Sequence, residues 1–217
     1  NHGTWLVKAP LFTTSLPVGT IGPGGTLVVQ RSFEIYNQLV ANDPADAQSY
    51  LRISQIYRQQ KDFNKAREAN NKAKALEPNS VEIRYNEVNI LEAEDRTADA
   101  TKMLQDILAS TAKLNYNPSE RANRVALIER LAALYRGADQ TELAVESYRQ
   151  LAELDPALGA RSAAQVIETY RTGKVFVKAQ QEAEAATKKF PEDRVLRNTR
   201  AALVAETGKT HEAAADL

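Results

Sequence analysis

The chain has 217 residues, of which 43% are hydrophobic and 26% are charged, an ordinary composition for a soluble protein. Its 28 lysines and arginines balance its 28 aspartates and glutamates, so there is no net charge with which to hold nucleic acid or an acidic membrane. The absence of cysteine excludes disulfides and thiolate metal sites, and no apolar run approaches the length of a membrane span.

The first 26 residues differ in character from the rest of the chain. Three prolines and a cluster of glycines between Gly19 and Gly25 disfavour a long helix in this segment. Trp5 and Phe12, however, are more apolar than a solvated linker requires. Two interpretations stay open: a disordered tail, or an extended arm that lies on the helices of this molecule or of a neighbour.

A helix–turn–helix unit occupies residues 47–78. Apolar or small residues recur at helical spacing from Tyr50 to Tyr57, a polar turn follows, and a second helical run starts at Phe63. Pro78 ends that second run, because proline cannot continue a helix. Asp46 is the predicted N-terminal cap of the unit.

This unit repeats along the chain. The repeated small position of the second helix is occupied by Ala66, Ala100, Ala144, Ala179 and Ala213. These alanines are 34 or 35 residues apart, except for one interval of 44 residues. Closing prolines follow the same repeat: Pro44 and Pro78 are 34 residues apart, Pro156 and Pro191 are 35 apart, and the 78 residues between Pro78 and Pro156 span two repeats. Residues 27–44 match only the second helix of a further unit.

The pattern resembles the tetratricopeptide repeat family, whose 34-residue motif reads W-x2-L-G-x2-Y…A-x3-F…P. Tyr50, Ile53, Ser54 and Tyr57 stand at its first four positions in the unit at 47–78. The resemblance implies an all-α fold, a right-handed superhelix of stacked helix pairs, because no single pair can bury its own apolar face. The predicted divisions are an extended arm at 1–26 and a repeat domain at 27–217, with a half repeat at 27–44, repeats at 47–80, 81–114, 125–158 and 160–193, and a partial repeat at 194–217.

The extra residues of the long interval lie within 113–124. The Asn117-Pro118-Ser119 sequence interrupts the chain, and Ser119 is predicted to cap a helix that runs to Tyr135. The insertion therefore lengthens this helix or adds a loop before it. Glycines expected in the turns within helix pairs are Gly137, Gly173 and Gly208.

No group of residues indicates catalysis, a cofactor or a metal. The GTIGPGGT sequence at 19–26 has the outline of a phosphate-binding loop, but Gly25 stands where the lysine is needed and Pro23 removes a backbone donor. His2 and His211 lie at opposite ends of the chain, too far apart in sequence to indicate a zinc site. We therefore predict that the chain is not an enzyme and binds no cofactor.

The expected functional surface is the concave groove, which the first helices of stacked pairs line. Side chains of these helices that lie off the packing positions are amides, arginines, glutamates and one tyrosine, which suit the backbone and side chains of an extended peptide. The predicted groove residues are Gln55, Arg58, Gln59, Tyr85, Asn86, Asn89, Glu92, Glu129, Arg136, Arg161, Glu168 and Arg171, with Leu51 beside them.

Some members of the family hold the C-terminal carboxylate of a partner with lysine, asparagine and arginine. Asn86 and Arg130 match that set, but Leu51 and Ala126 replace its lysines and Gln55 replaces an asparagine. Recognition of this type is therefore not expected.

The sequence predicts a non-catalytic scaffold that binds a peptide or helix of a partner protein in its groove, with no nucleic acid and no membrane insertion. One alternative is a docking or regulatory segment of a larger multidomain enzyme. Another is self-association through the open repeat ends or the N-terminal arm, because an unpaired end helix exposes an apolar face.

Overall fold

The computed structural model describes residues 23–206, with side chains from residue 30 onward. The arm at 1–22, the two histidines and Gly208 lie outside the described residues. The described chain forms ten α-helices: α1 (Pro23–Asn42), α2 (Ala47–Gln59), α3 (Phe63–Leu76), α4 (Val81–Ala93), α5 (Thr97–Ser110), α6 (Pro118–Gly137), α7 (Thr141–Leu154), α8 (Gly159–Thr172), α9 (Phe176–Lys189) and α10 (Arg194–Glu206). A short 3-10 turn at Pro156–Leu158 precedes α8.

The described helices belong to two compact units, one with α1 to α5, which ends at residue 114, and one with α6 to α10, which begins at residue 115. In the first unit each helix packs on the next, and α2 also packs on α4. In the second unit α6 to α10 follow the same rule, and α8 also packs on α10. Contact between successive first helices is what stacking of helix pairs requires.

The predicted small positions form the crossings of the helix pairs. Ala66, Ala100, Ala144 and Ala179 are each fully buried. Opposite Ala66, the hydroxyl of Ser54 donates to the Ala66 carbonyl at 2.7 Å, so α2 and α3 approach closely at this point. Small side chains allow this approach, and larger apolar side chains fill the space beside it.

The same three-residue turn joins the helices of all four pairs in the described chain. In each turn the middle residue has a positive φ: Lys61, Asp95, Asp139 and Lys174. In the first turn, the Lys61 N–H donates to the Arg58 carbonyl and the Asp62 N–H to the Tyr57 carbonyl, and the other three repeat these bonds. This is the Schellman arrangement, in which two orphan carbonyls of the ending helix are satisfied.

Glycine does not occupy the left-handed position in any of these turns. Gly173 lies in its turn as expected, and the positive φ there falls on the next residue, Lys174. Gly137 is the last residue of α6, and the positive φ of its turn falls on Asp139. Side chains at these four positions accept a conformation that costs about 1–2 kcal/mol relative to the right-handed one. The two hydrogen bonds of the turn offset that cost.

Helix α1 begins at Pro23, four residues before the predicted boundary at 27. Proline is favoured in the first turn of a helix because its missing N–H has no partner there in any case. Phe33 meets the ring of Tyr57 edge to face, with centroids 5.0 Å apart, and so fixes α1 against α2. Ile35 is 48% exposed and Leu39 is 43% exposed, and among the described residues no helix precedes α1.

The insertion lengthens α6, which was one of the two predicted outcomes. Helix α6 has 20 residues, whereas the other first helices have 13 or 14. Its cap is Asn117 rather than the predicted Ser119: Asn117 Oδ1 accepts from the Glu120 N–H at 2.9 Å, and Glu120 Oε2 accepts from the Asn117 N–H at 3.2 Å. Asp46 caps α2 as predicted, accepting from the Ser49 N–H at 3.1 Å.

Candidate functional site

The residues predicted to line a groove lie on α2 and α4 of the first unit and on α6 and α8 of the second. All four are first helices of their pairs, so within each unit these residues share one side of the stack. The two units are described separately below.

In the first unit, Arg58 on α2 lies beside Tyr85 on α4, and both side chains are half-buried. Burial lowers the pKa of Arg58, and the Tyr85 phenol opposes that change. Gln55 is held by its neighbour, because its Oε1 accepts from Arg52 Nη1 at 2.9 Å. Asn89 is half-buried, and Gln59 is exposed at the end of α2. These polar side chains lie at the surface of the unit without filling its core.

For two residues of this unit, the predicted position in the groove is wrong, because both lie in the core. Leu51 is fully buried, and Asn86 is 1% exposed. Asn86 Nδ2 donates to Ser54 Oγ at 2.8 Å and to Asn70 Oδ1 at 2.9 Å. Asn86 therefore joins α4 to α2 and α3 inside the unit, and neither residue can meet a partner at the surface.

In the second unit, three of the predicted residues line two clefts that lie next to each other. One cleft has a volume of about 440 Å³ and is lined by Arg136, Glu168 and residues of the turn after α6. The other has a volume of about 430 Å³ and is lined by Glu168, Arg171 and residues of α10. Glu168 contributes to both clefts. The first helices α6, α8 and α10 thus form one polar surface with two adjoining depressions.

Ion pairs fix the arginines of this second surface. Arg161 on α8 contacts Glu129 on α6 at 2.6 Å. Arg171 Nη2 donates to Glu168 at 2.7 Å, and its Nη1 donates to Glu206 of α10 at 2.6 Å. The hydrogen bond to Glu168 is the main reason that the pKa of Arg171 is raised above its ordinary value. These pairs link α6 to α8 and α8 to α10, and they preorganise the side chains of the clefts.

Sequence reasoning missed the contribution of α10. Asn198, Thr199 and Glu206 line the second cleft, and Val195 beside them is 63% exposed. The repeat carried a signal for Glu206, because it follows Arg171 by one 35-residue interval. The groove prediction ended at α8 and did not extend that interval.

The described residues show no site for a metal and no span of a membrane. Among residues 23–206, no group of three or more histidine, aspartate or glutamate side chains could hold an ion. No helix in the same range combines the length and the apolar character that crossing a bilayer requires.

Comparison with known proteins agrees with the repeat pattern. The family model described as "Tetratricopeptide repeat" matches residues 47–80 and 127–158, which cover the pairs α2–α3 and α6–α7. At these two helix pairs the chain matches the tetratricopeptide repeat family. The fold and the two matched repeats support a role as a scaffold for protein–protein interaction.

Solved structures of tetratricopeptide repeat proteins share the fold at low sequence identity. YrrB, described as a tetratricopeptide repeat protein with an unusual peptide-binding site, is 15% identical over 85% of this chain and 89% of its own, with a TM-score of 0.55. A tetratricopeptide repeat protein from Parabacteroides merdae is 15% identical over 88% of this chain and 72% of its own, with a TM-score of 0.61. MamA from Desulfovibrio magneticus is 18% identical over 78% and 90%, with a TM-score of 0.54. No curated protein sequence matches the chain.

Proposed function

We propose that this tetratricopeptide repeat protein is a non-catalytic scaffold that binds an extended segment of a partner protein on its first-helix surfaces. The observation that carries the proposal is the pair of adjoining clefts in the second unit, which share Glu168 and are lined by α6, α8 and α10. Two depressions that adjoin on one surface suit successive side chains of one extended peptide.

The chemistry of the lining supports a peptide rather than a small apolar ligand. Arg136, Asn198 and Thr199 offer hydrogen-bond donors and acceptors for a peptide backbone, and the exposed Val195 offers apolar contact. The volumes of about 430 and 440 Å³ leave room for side chains. YrrB, which shares the fold, is described as having a peptide-binding site, and this agrees with the proposal without locating the site here.

Selection from a library of displayed random 12-residue peptides on the purified 217-residue chain tests the proposal. Selected peptides are then synthesised, and their Kd is measured by fluorescence anisotropy. We expect the Arg136→Ala/Arg171→Ala variant to bind them on the order of tenfold more weakly, because each arginine lines a cleft and can provide charge-assisted donors to the peptide.

Arg149→Ala is the matched control, because Arg149 lies on α7 and pairs with Glu182 of α9, away from the clefts. Its affinity for the same peptides is expected to equal that of the wild type. Failure to select any peptide, or equal binding by the cleft variant, contradicts the proposal.

Light scattering across concentrations tests the self-association alternative, which predicts a mass that rises with concentration. The enzyme-docking alternative predicts that a catalytic domain co-purifies with the chain.

A further inference from the structure

Arg58 is a half-buried arginine without an acidic partner among the described residues. Its Nε is buried and has no hydrogen-bond partner, and its guanidinium forms no ion pair within residues 30–206. We propose that Arg58 binds a side-chain carboxylate of the segment held by the first unit, so that the partner of this unit is an acidic peptide. This inference rests on the proposed function, and it adds the chemical class of the partner.

Two other arginines of the predicted groove, Arg161 and Arg171, differ from Arg58 in this respect. Arg161 contacts Glu129 of α6 at 2.6 Å, and Arg171 contacts Glu168 of its own helix at 2.7 Å and Glu206 of α10 at 2.6 Å. Arg52, six residues before Arg58 on α2, contacts Glu82 of α4 at 3.3 Å. The fold thus supplies carboxylates to most of these cations and leaves Arg58 beside the Tyr85 phenol.

A half-buried guanidinium without an anion has lost part of its hydration without gaining a compensating charge. The lowered pKa of Arg58 has this loss of hydration as its largest cause. Arg58 as a whole is only half-buried, and Nε is its one nitrogen recorded as buried without a partner. A carboxylate that docks there forms charge-assisted hydrogen bonds in a partly desolvated setting, where such bonds are strongest.

The carboxylate has to come from outside the N-terminal part of the chain. The first acidic residue of the sequence is Glu34, so residues 1–33 contain no side chain that could neutralise Arg58. Around Arg58, the amides of Gln59 and Asn89 suit the backbone of a chain that runs past it. A single guanidinium flanked by amides fits a side-chain carboxylate of such a passing segment.

The test uses the same library of displayed 12-residue peptides, whose C-termini are fused to the carrier and carry no free carboxylate. Peptides selected on the wild-type chain are expected to be enriched in Asp and Glu over the input library. Changing the acidic residues of a selected synthetic peptide to Gln or Asn should weaken its Kd on the order of tenfold, as expected for loss of a charge-assisted pair. On the Arg58→Gln variant the same changes should have no effect.

Arg96→Gln is the charge-matched control in the same unit, because Arg96 is exposed at a turn and pairs with Asp99. It should retain the preference for acidic peptides. Arg58→Lys keeps the charge and should retain part of the preference, which keeps the test informative if Arg58→Gln does not fold. The comparison of acidic and neutralised peptides on the wild type needs no variant at all.

The two proposals fail in different ways. Peptides that bind the wild type without any enrichment in Asp or Glu overturn the role of Arg58 and leave the scaffold function standing. A preference for acidic peptides that persists unchanged in Arg58→Gln also overturns it. If amidation of a free C-terminus, rather than Glu→Gln replacement, weakens binding, the assignment to a side-chain carboxylate is wrong. If no peptide is selected, the proposed function itself fails.

Discussion

Asn86 donates a hydrogen bond from Nδ2 to Asn70 Oδ1 at 2.9 Å, in the buried centre of the first unit. The pair links α4 to α3, and the second bond of Asn86 to Ser54 Oγ extends the link to α2. The network is only partly satisfied, because Asn70 Nδ2 and Asn86 Oδ1 are buried without a partner. Such a network fixes which helices meet while contributing little net stability.

Replacing one member of this pair should therefore cost more than replacing both. Asn86→Leu leaves Asn70 Oδ1 buried and unpaired, and we expect a loss of about 1–3 kcal/mol in the free energy of unfolding. Asn70→Leu/Asn86→Leu removes both polar groups and should be close to neutral, since paired polar groups are replaceable by apolar groups of similar shape. Urea unfolding followed by circular dichroism measures both variants. If the double variant loses as much free energy of unfolding as the two single variants together, this interpretation of the pair is wrong.

The cap of α6 gives a prediction with a control two residues away. Asn117→Ala removes the acceptor for the Glu120 N–H and should reduce stability by about 0.5–2 kcal/mol. Ser119→Ala should have almost no effect, because Ser119 is exposed and lies inside the helix. Thermal unfolding of the two variants separates them. A larger loss for Ser119→Ala would restore the cap that the sequence suggested.

The turn after α2 predicts a stabilising substitution. Lys61 has a φ of 62°, and Lys61→Gly should raise stability by about 0.5–1 kcal/mol after the greater freedom of glycine in the unfolded chain is included. Gln60→Gly is the control, because Gln60 has a φ of −78° and gains nothing from glycine. Its stability should fall. Chemical unfolding of both variants tests the difference, and a loss in Lys61→Gly would rule out strain at this position.

The pH dependence of stability should include Asp46. The Ser49 hydroxyl donates to its carboxylate and lowers the pKa of Asp46 below the ordinary value of 3.8. A lowered pKa in the folded state means that Asp46 stabilises the fold above pH 3.8, and that this contribution is lost as the pH falls through the folded-state pKa. Asp46→Asn keeps a capping oxygen but does not ionise, so its stability should fall less than that of the wild type on acidification.

Ser49→Ala provides a second measurement on the same pair. Without the hydroxyl, the carboxylate of Asp46 should titrate closer to its ordinary value, which narrows the pH range over which the contribution persists. Urea unfolding at a series of pH values from neutral to acidic compares the three proteins. Identical acid profiles for the wild type and Asp46→Asn would show that Asp46 contributes nothing to the pH dependence.

Arg161 should affect binding and stability very differently. Its pair with Glu129 lies at the surface of the second unit, where such pairs are worth about 0–1 kcal/mol. Arg161→Ala should therefore leave thermal stability within a degree or two of the wild type. If the first-helix surface holds a peptide, the same variant should weaken the binding of selected peptides. A large loss of stability would assign Arg161 to the fold instead.

The repeat made much of the fold predictable, because one packing requirement recurs at a fixed interval. Spacing alone identified Ala66, Ala100, Ala144 and Ala179 as the repeated small position of the second helix, and all four are fully buried. Such positions repeat because each helix pair meets its neighbours in the same way. A local pattern that recurs four times is a much stronger signal than any single residue.

The errors arose where a residue depends on partners far away in the sequence. Asn86 is polar and was assigned to the groove, but its partners Ser54 and Asn70 lie 32 and 16 residues earlier, and no local pattern reveals that the three meet. The cap of α6 was a different error, since Asn117 and Ser119 are both good caps. Proline at the first helical position followed by Glu120 favours Asn117, and that signal was present in the sequence.

The three-residue turn within each pair has a practical consequence for protein engineering. An inserted residue would break the two backbone hydrogen bonds and the single left-handed residue that define this turn. The four described turns are accordingly equal in length. The one natural extension of the chain instead falls at the junction between two pairs, where it lengthens α6. Foreign peptides or reporter tags should accordingly be inserted into the connections after Leu76, Ser110 or Lys189. These connections lie between helix pairs, so a longer loop there leaves the turn within each pair intact.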